Sequence, residues 1–244
     1  MKVKTISIIP ILGTIVLFFS GCSSRNGDEL EPQTTIPVLI TPDKVWNIEF
    51  GYACPDGDET GCFCYGGLQT IKVGNTKTFN GEEYYELLSV NSNQQWKIIT
   101  YVREESEKVF FYAEDCDKEY LMYDFNLNTG DEIFLADPLN PTSNYQHDNP
   151  CELTEYDKRE YHYKVIEVDS IEYNQVKRKM LKLESNMHPY SPDIWVEGIG
   201  CMRGIIYRSA THQTGVKQLK DCFESGELFF VNENPEFCLV PATE

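Results

Sequence analysis

The chain has 244 residues, with 21 lysines and arginines against 39 aspartates and glutamates, and a formal net charge of −18. This excess of acid opposes binding to nucleic acid, whose phosphates are bound by lysine and arginine, and docking onto anionic lipid headgroups. It leaves cations, basic proteins and neutral glycans as partners, and the length suits one domain or two small ones.

The N-terminus has the three parts of a secretory signal peptide. Lys2 and Lys4 precede an apolar run of about 14 residues, from Ile6 to Phe19, and small residues follow it. A membrane-spanning helix needs roughly 20 apolar residues, so this run is too short to cross a bilayer. We therefore predict a lipoprotein signal peptide over residues 1–21.

The segment FSGC at positions 19–22 resembles the lipobox of bacterial lipoproteins, with Phe19 in place of the usual aliphatic residue. The resemblance implies cleavage before Cys22 and attachment of a diacylglycerol to its thiol. Two or three acyl chains anchor a protein stably in a membrane, which is the first expected partner. The alternative is an ordinary signal peptide followed by a stray cysteine. Cleavage removes two lysines and no acid, so the net charge falls from −18 to −20.

Lipidation at Cys22 leaves an even number of cysteines, and an exported chain with an even number is expected to form disulfides. The disulfide candidates are Cys54, Cys62, Cys64, Cys116, Cys151, Cys201, Cys222 and Cys238. The pairings that we favour are Cys54 with Cys62 or Cys64, Cys116 with Cys151, and Cys201 with Cys222. Metal binding by the first three cysteines is the alternative, but no histidine lies near them in the sequence.

Residues 22–43 are predicted to form a flexible acidic tether, because they are rich in polar residues and proline and show little periodicity. The pair Asp28-Glu29 resembles the surface-export signals of Bacteroidetes lipoproteins, although a solvated linker explains it equally well. We expect the protein at a Gram-negative outer membrane, lipid-anchored at the cell surface or on the periplasmic face.

Residues 44–244 are predicted to form a single β-rich domain. Short runs rich in tyrosine, phenylalanine, valine and isoleucine recur between turn signals, of which Asn80-Gly81 is the strongest hairpin signal. The pattern predicts an all-β fold, an antiparallel meander forming a sandwich or partly open barrel, stapled by disulfides. Helices near 148–156 and 215–223 are alternatives, and a proline-rich loop near 136–156 interrupts the meander.

The acidic loop between Cys54 and Gly67 partly matches an EF-hand calcium loop. The match fails at the last ligand position, where a glycine replaces the bidentate acid that calcium needs. A disulfide-pinned acidic turn is therefore the favoured interpretation. Calcium bound by Asp56, Asp58 and Glu59 is the alternative, and no other cofactor is expected.

Signals of catalysis are weak. The histidines lack the close spacing of metal ligands, and they are His147, His162, His188 and His212. Signatures of the best-known hydrolases, nucleotide-binding loops and zinc proteases are absent from the sequence. Asp124, Asp131 and Glu197 are the acids to inspect first for a catalytic role, because they lie in apolar neighbourhoods of the sequence. Hydrogen bonding within turns is the favoured explanation for the two aspartates.

Three segments resemble a β-rich domain common in exported proteins and lipoproteins of Bacteroidetes. These segments are Arg103-Glu104, Tyr123 to Asp131, and Trp195 to Gly200. The resemblance covers roughly residues 70–210 and implies fold and compartment but no chemistry, because the family has no established activity. Trp195 and Ile199 are expected to be core residues. The many cysteines and the proline-rich loop depart from the family pattern.

The leading hypothesis is a lipid-anchored cell-envelope lipoprotein that acts as a non-enzymatic binding module for a glycan, peptide or protein. The alternatives are a secreted hydrolase that uses paired carboxylates and a structural component of the envelope. A cleft with two carboxylates, one of them with a raised pKa, favours the hydrolase, whereas an exposed aromatic platform or apolar patch favours binding. The sequence makes no prediction of the oligomeric state.

Overall fold

The computed structural model describes residues 38–54, 62–90, 95–136, 151, 162–186, 191–207, 215–233 and 238–240. The strands found there are β1 (Val45–Tyr52), β2 (Phe63–Phe79), β3 (Glu82–Val90), β4 (Lys97–Glu105), β5 (Lys108–Ala113), β6 (Lys118–Asp124), β7 (Glu132–Phe134), β8 (His162–Tyr173), β9 (Val176–Ser185), β10 (Asp193–Val196), β11 (Gly200–Cys201), β12 (Val216–Glu224), β13 (Glu227–Val231) and β14 (Leu239–Val240). One short 3-10 turn spans Glu114–Cys116. Within these residues, no helix is long and apolar enough to cross a membrane.

The strands form two sheets. The larger sheet has nine strands, in the order β13-β12-β1-β2-β3-β4-β5-β6, with β14 parallel to β2, and it curves as a half-barrel. The smaller sheet has the order β11-β10-β9-β8-β7. Strands that follow one another from β2 to β6 lie side by side and antiparallel. The predicted all-β class with an antiparallel meander is therefore confirmed.

Two-residue turns explain why consecutive strands pair. Asn80 and Gly81 both have positive φ, 51° and 90°, as the primed hairpin turns require. The β4–β5 turn uses Ser106 and Glu107 in the same way, with φ of 51° and 64°. The hairpin predicted at Asn80-Gly81 is thus confirmed. The helix considered near 215–223 is wrong, because those residues form β12 and pair with β1.

Aromatic residues join the two sheets through a shared core. Trp46 of β1 is fully buried, and its indole N–H donates to the carbonyl of Ile199 at 2.8 Å. The Tyr123 ring meets Trp195 edge-on with centroids 4.9 Å apart, and its hydroxyl donates to the carbonyl of Ile205. Trp195 and Ile199 are both fully buried, which confirms them as core residues.

Three disulfides staple the fold. Cys54–Cys64 and Cys116–Cys151 are among the favoured pairings, and Cys62–Cys238 fastens the C-terminal strand to the start of β2. The predicted disulfide between Cys201 and Cys222 is wrong. Both are buried thiols, held on different sheets by β11 and β12, so the expectation that all eight candidates form disulfides was also wrong. Burial raises the pKa of the Cys222 thiol to about 12.

The packed chain begins earlier than the predicted boundary between residues 43 and 44. Leu39 is 0% exposed and Ile40 is 5% exposed, so the last residues assigned to the tether belong to the core. Their apolar side chains complete the core next to β4 and the β10–β11 turn. The signal peptide and residues 22–37 of the predicted tether, which include Cys22, lie outside the described residues, as do all residues of the 136–156 loop except Ala136 and Cys151.

Candidate binding cleft

An open cleft of about 470 Å³ lies where β3 begins and β4 ends. Its volume is within the roughly 300–1,000 Å³ of small-ligand pockets. Acidic, apolar and aromatic residues line it together. The acids are Glu83, Glu104, Glu105 and Glu107, and the apolar wall consists of Val38, Ile40 and Tyr85. Arg103, Ser106 and Asn126 complete the lining.

Strand register places two of these acids on the concave side of the half-barrel. Tyr85 of β3 pairs with Val102 of β4, and the side chain of Val102 is fully buried in the core. Side chains two residues apart on a strand point to the same face. Glu83 and Glu104 therefore continue the core-facing rows of β3 and β4, beyond the point where the core ends. The cleft lies at the mouth of the half-barrel, a common position for ligand sites.

Glu104 has a structural role as well as a place in the cleft. Its Oε2 atom accepts hydrogen bonds from the backbone N–H groups of Leu39 and Ile40, both at 2.8 Å. Burial raises the pKa of the Glu104 carboxyl, and this outweighs the opposite effects of those two hydrogen bonds and of Lys44. The carboxyl therefore keeps its proton to a higher pH than an ordinary glutamate does.

Residues 38–44, which we name the strap, are held by a second buried charge. Lys44 is fully buried, and its Nζ donates to the carbonyls of Val38 at 3.0 Å and Gly198 at 2.7 Å. Burial lowers the pKa of the Lys44 ammonium. The Thr41 hydroxyl also donates to Oε1 of Glu224 at 2.6 Å. The strap is thus fastened to both sheets.

The cleft has an excess of negative charge. Arg103, its cation, donates Nε to Oε2 of Glu119 at 2.6 Å and Nη1 to Oε2 of Glu105 at 2.7 Å. The hydrogen bonds that Arg103 donates to Glu119 raise the pKa of Arg103 above its usual value. Its charge is therefore already compensated. Within the described part of the chain, the other lining acids form no ion pair, and they are Glu83, Glu104 and Glu107.

The carboxylates singled out from the sequence lie outside this cleft. Asp124 accepts the backbone N–H of Asn126 at 3.0 Å, and Asp131 accepts that of Asn128 at 2.8 Å. These contacts confirm hydrogen bonding within turns for both aspartates. Glu197 accepts the backbone N–H of Lys179 at 3.1 Å. Each of the three carboxylates therefore has a structural partner.

Glu104 lies in the segment Arg103-Glu104, which resembles exported Bacteroidetes domains. Glu104 was not predicted from the sequence as a residue of a functional site. The alternation in TYVREE gave a signal, because burial at Val102 places Glu104 on the core-facing side of β4. An acid at a core-facing position is unusual unless it has a partner. Its partners are backbone N–H groups 64 and 65 residues away, which local patterns do not reveal.

Of the four histidines and the three candidate calcium ligands, only His162 lies in the described part of the chain. His162 stacks on Phe134 with centroids 4.6 Å apart, and its Nε2 lies 3.2 Å from Oε2 of Glu132. The other three histidines lie outside the described residues, as do Asp56, Asp58 and Glu59. Among the residues that are described, no group of three metal-ligating side chains occurs.

Aromatic residues on the outer face of the larger sheet mostly pack against one another. Tyr84, Tyr101 and Tyr112 are buried around Phe79, which stacks on Tyr112 with centroids 4.1 Å apart. Trp96, 42% exposed, is a more open aromatic side chain, and the Lys72 ammonium lies over its ring at 4.3 Å. The tyrosine cluster is therefore a small second core, whereas Trp96 offers only part of one ring.

No family model, curated protein or solved structure matches the chain. The function must therefore be inferred from the geometry and charge of the cleft.

Proposed function

We propose that the protein is a lipid-anchored cell-envelope protein that binds a basic segment of a peptide or protein in the acidic cleft. The observation that carries this proposal is the charge balance of the cleft. Glu83, Glu104 and Glu107 surround it, and the single arginine of its lining already pairs with other carboxylates. Placing an ammonium or guanidinium group there adds the missing positive charge.

The size and the walls of the cleft favour an organic cation over a bare metal ion. A volume of about 470 Å³ accommodates a side chain rather than an ion. Val38 and Ile40 offer apolar contact to the methylene stem of lysine or arginine, and the Tyr85 ring is available to the charged group. A basic peptide therefore fits both the charge and the apolar wall.

Envelope location is the second part of the proposal. It is supported by the N-terminal signal pattern and the lipobox-like segment that ends at Cys22. Three disulfides add support, because such bonds persist in oxidising compartments outside the cytoplasm. The resemblance to exported Bacteroidetes domains points to the Gram-negative outer membrane. Either face of that membrane is compatible with the cleft.

Titration with fluorescein-labelled hexalysine at low salt tests the ligand class. In the double variant Glu83→Gln, Glu107→Gln, we expect affinity to fall by about tenfold or more, which corresponds to roughly 1.4 kcal/mol. The matched control is Glu167→Gln, Glu172→Gln, which removes the same charge from β8. Equal losses in both variants would show attraction to the net charge alone, and absence of binding to the unaltered protein would refute the proposal.

A hydrolase that uses paired carboxylates is the second candidate, and one observation favours it. Glu104, whose pKa is raised by burial, shares the cleft and one face of the larger sheet with the exposed Glu83. Glycosidases pair a carboxylic acid of raised pKa with a second carboxylate in this way. Release of reducing sugars from envelope polysaccharides, lost in Glu104→Gln and in Glu83→Gln, would favour this candidate over binding. A purely structural component predicts neither hexalysine binding nor hydrolysis.

A further inference from the structure

The strap forms one wall of the cleft. Val38 and Ile40 line the cleft directly, and Glu104 both lines it and accepts the strap's backbone N–H groups. The wall therefore consists of a segment that is not part of either sheet. Its removal would take Val38 and Ile40 away from the apolar wall and leave only Tyr85 of β3 there.

The contact that fastens the strap lies outside the cleft. Lys44 does not line the cleft, yet its Nζ holds the carbonyl of Val38 at 3.0 Å and that of Gly198 at 2.7 Å. It lies 4.0 Å from Oε1 of Glu224, and the ring of Phe229 packs 4.7 Å from it. A change at Lys44 therefore loosens the strap without removing a side chain that lines the cleft, and it also removes a positive charge that lowers the pKa of Glu104.

We propose that the strap is a reversible wall, so that the cleft binds ligand only while residues 38–44 are seated against Glu104 and Gly198. This inference rests on the proposed binding function and adds its regulation. Because coupling between two equilibria is reciprocal, a bound ligand holds the strap in place, and a loosened strap weakens the ligand. The strap includes the last six residues of the segment predicted as the tether, residues 38–43, so the wall is the part of the cleft nearest to the predicted anchor in the sequence.

Replacing Lys44 by methionine tests this coupling in the full chain. Methionine keeps the length and apolar stem of lysine but donates no hydrogen bond. We expect the amides of Leu39 and Ile40 to exchange with deuterium at least tenfold faster, and hexalysine to bind about tenfold more weakly. The matched control is Lys182→Met on β9, whose ammonium pairs at the surface with Glu167 at 3.6 Å. It should change neither quantity.

A second measurement on the unaltered protein covers the case in which Lys44→Met does not fold. Hexalysine should slow exchange at the amides of Leu39 and Ile40 and leave the amides of β8 unchanged. Normal affinity for hexalysine in Lys44→Met, despite fast exchange at the strap, would overturn the coupling. In the unaltered protein, tight binding of hexalysine without slower exchange at the amides of Leu39 and Ile40 would overturn it as well. If hexalysine does not bind at all, the proposed function fails, and unchanged exchange in folded Lys44→Met then refutes the role of Lys44 separately.

Discussion

The Oε2 atom of Glu104 accepts the backbone N–H of Leu39 at 2.8 Å, across 65 residues of sequence. It accepts the N–H of Ile40 at the same distance. Hydrogen bonds to a charged group each contribute roughly 1.5–3 kcal/mol, and an unsatisfied buried N–H costs a comparable amount. One carboxyl group therefore both fixes the start of the packed chain and lines the cleft.

Replacing Glu104 by alanine should lower the free energy of unfolding by about 2–4 kcal/mol, because two backbone N–H groups lose their acceptor. Urea denaturation measures the change. The matched control is Glu105→Ala, the neighbouring exposed acid, whose surface pair with Arg103 contributes less than about 1 kcal/mol. Equal effects of the two substitutions would contradict the role assigned to Glu104.

The stability of the protein should also depend on pH through Glu104. Burial raises the pKa of this carboxyl in the folded state, so folding favours its protonated form. Its contribution is present below the ordinary glutamate pKa and is lost as the pH rises through the raised value. On acidification, the free energy of unfolding of the unaltered protein should therefore rise relative to that of Glu104→Gln.

Urea denaturation of both proteins between neutral and mildly acidic pH measures that difference. Comparison with Glu104→Gln cancels the titration of groups that do not interact with Glu104. The charged groups that interact with it are Lys44 and Glu197, and those that share its cleft are Glu83, Arg103, Glu105 and Glu107. A difference that stays constant over this range, or that shifts the other way, would contradict a raised pKa.

The strand meander could be predicted because its signals are local. Alternation of apolar residues and the pair Asn80-Gly81 determine strand and turn within a few residues. The turn roles of Asp124 and Asp131 were predictable for the same reason. The favoured pairing of Cys116 with Cys151 is confirmed, and these two residues are only 35 positions apart in the sequence.

The strap and the third disulfide could not be predicted in this way. Leu39 and Ile40 lie between prolines in a polar stretch, which is a pattern typical of a linker. Only the folded structure shows that Glu104 of β4 accepts their backbone N–H groups. Cys62 and Cys238 are separated by 176 residues, and spacing carries no information at that distance. The favoured pairing of Cys201 with Cys222 is wrong because the fold places them on different sheets, in β11 and β12.

The reactivity of the two buried thiols distinguishes a framework of three disulfides from one of four. We expect Cys201 and Cys222 to resist iodoacetamide in the native protein, because both are buried and burial raises the pKa of Cys222 to about 12. Under non-reducing denaturing conditions both should be alkylated. Peptide mass spectrometry measures this. Protection of either thiol after denaturation would indicate a bond that contradicts the framework.

Lipidation at Cys22 should determine where the protein is found. The variant Cys22→Ser lacks the thiol that receives the diacylglycerol, so we expect it to move from the membrane fraction to the soluble fraction after cell disruption. Immunoblots of the two fractions measure this, with Cys222→Ser as a control that leaves the lipobox-like segment unchanged. An unaltered membrane fraction for Cys22→Ser would contradict the anchor.

The most direct test of the acidic cleft as the binding site is zero-length carbodiimide cross-linking of hexalysine to the protein, followed by peptide mass spectrometry. The reagent joins an amine to a carboxylate only where the two are in contact, so each cross-link identifies a carboxylate that touches the ligand. The predicted result is cross-links at Glu83 and Glu107, suppressed by high salt. Cross-links concentrated at Glu167 and Glu172, or spread evenly over the acidic surface, would contradict the proposal.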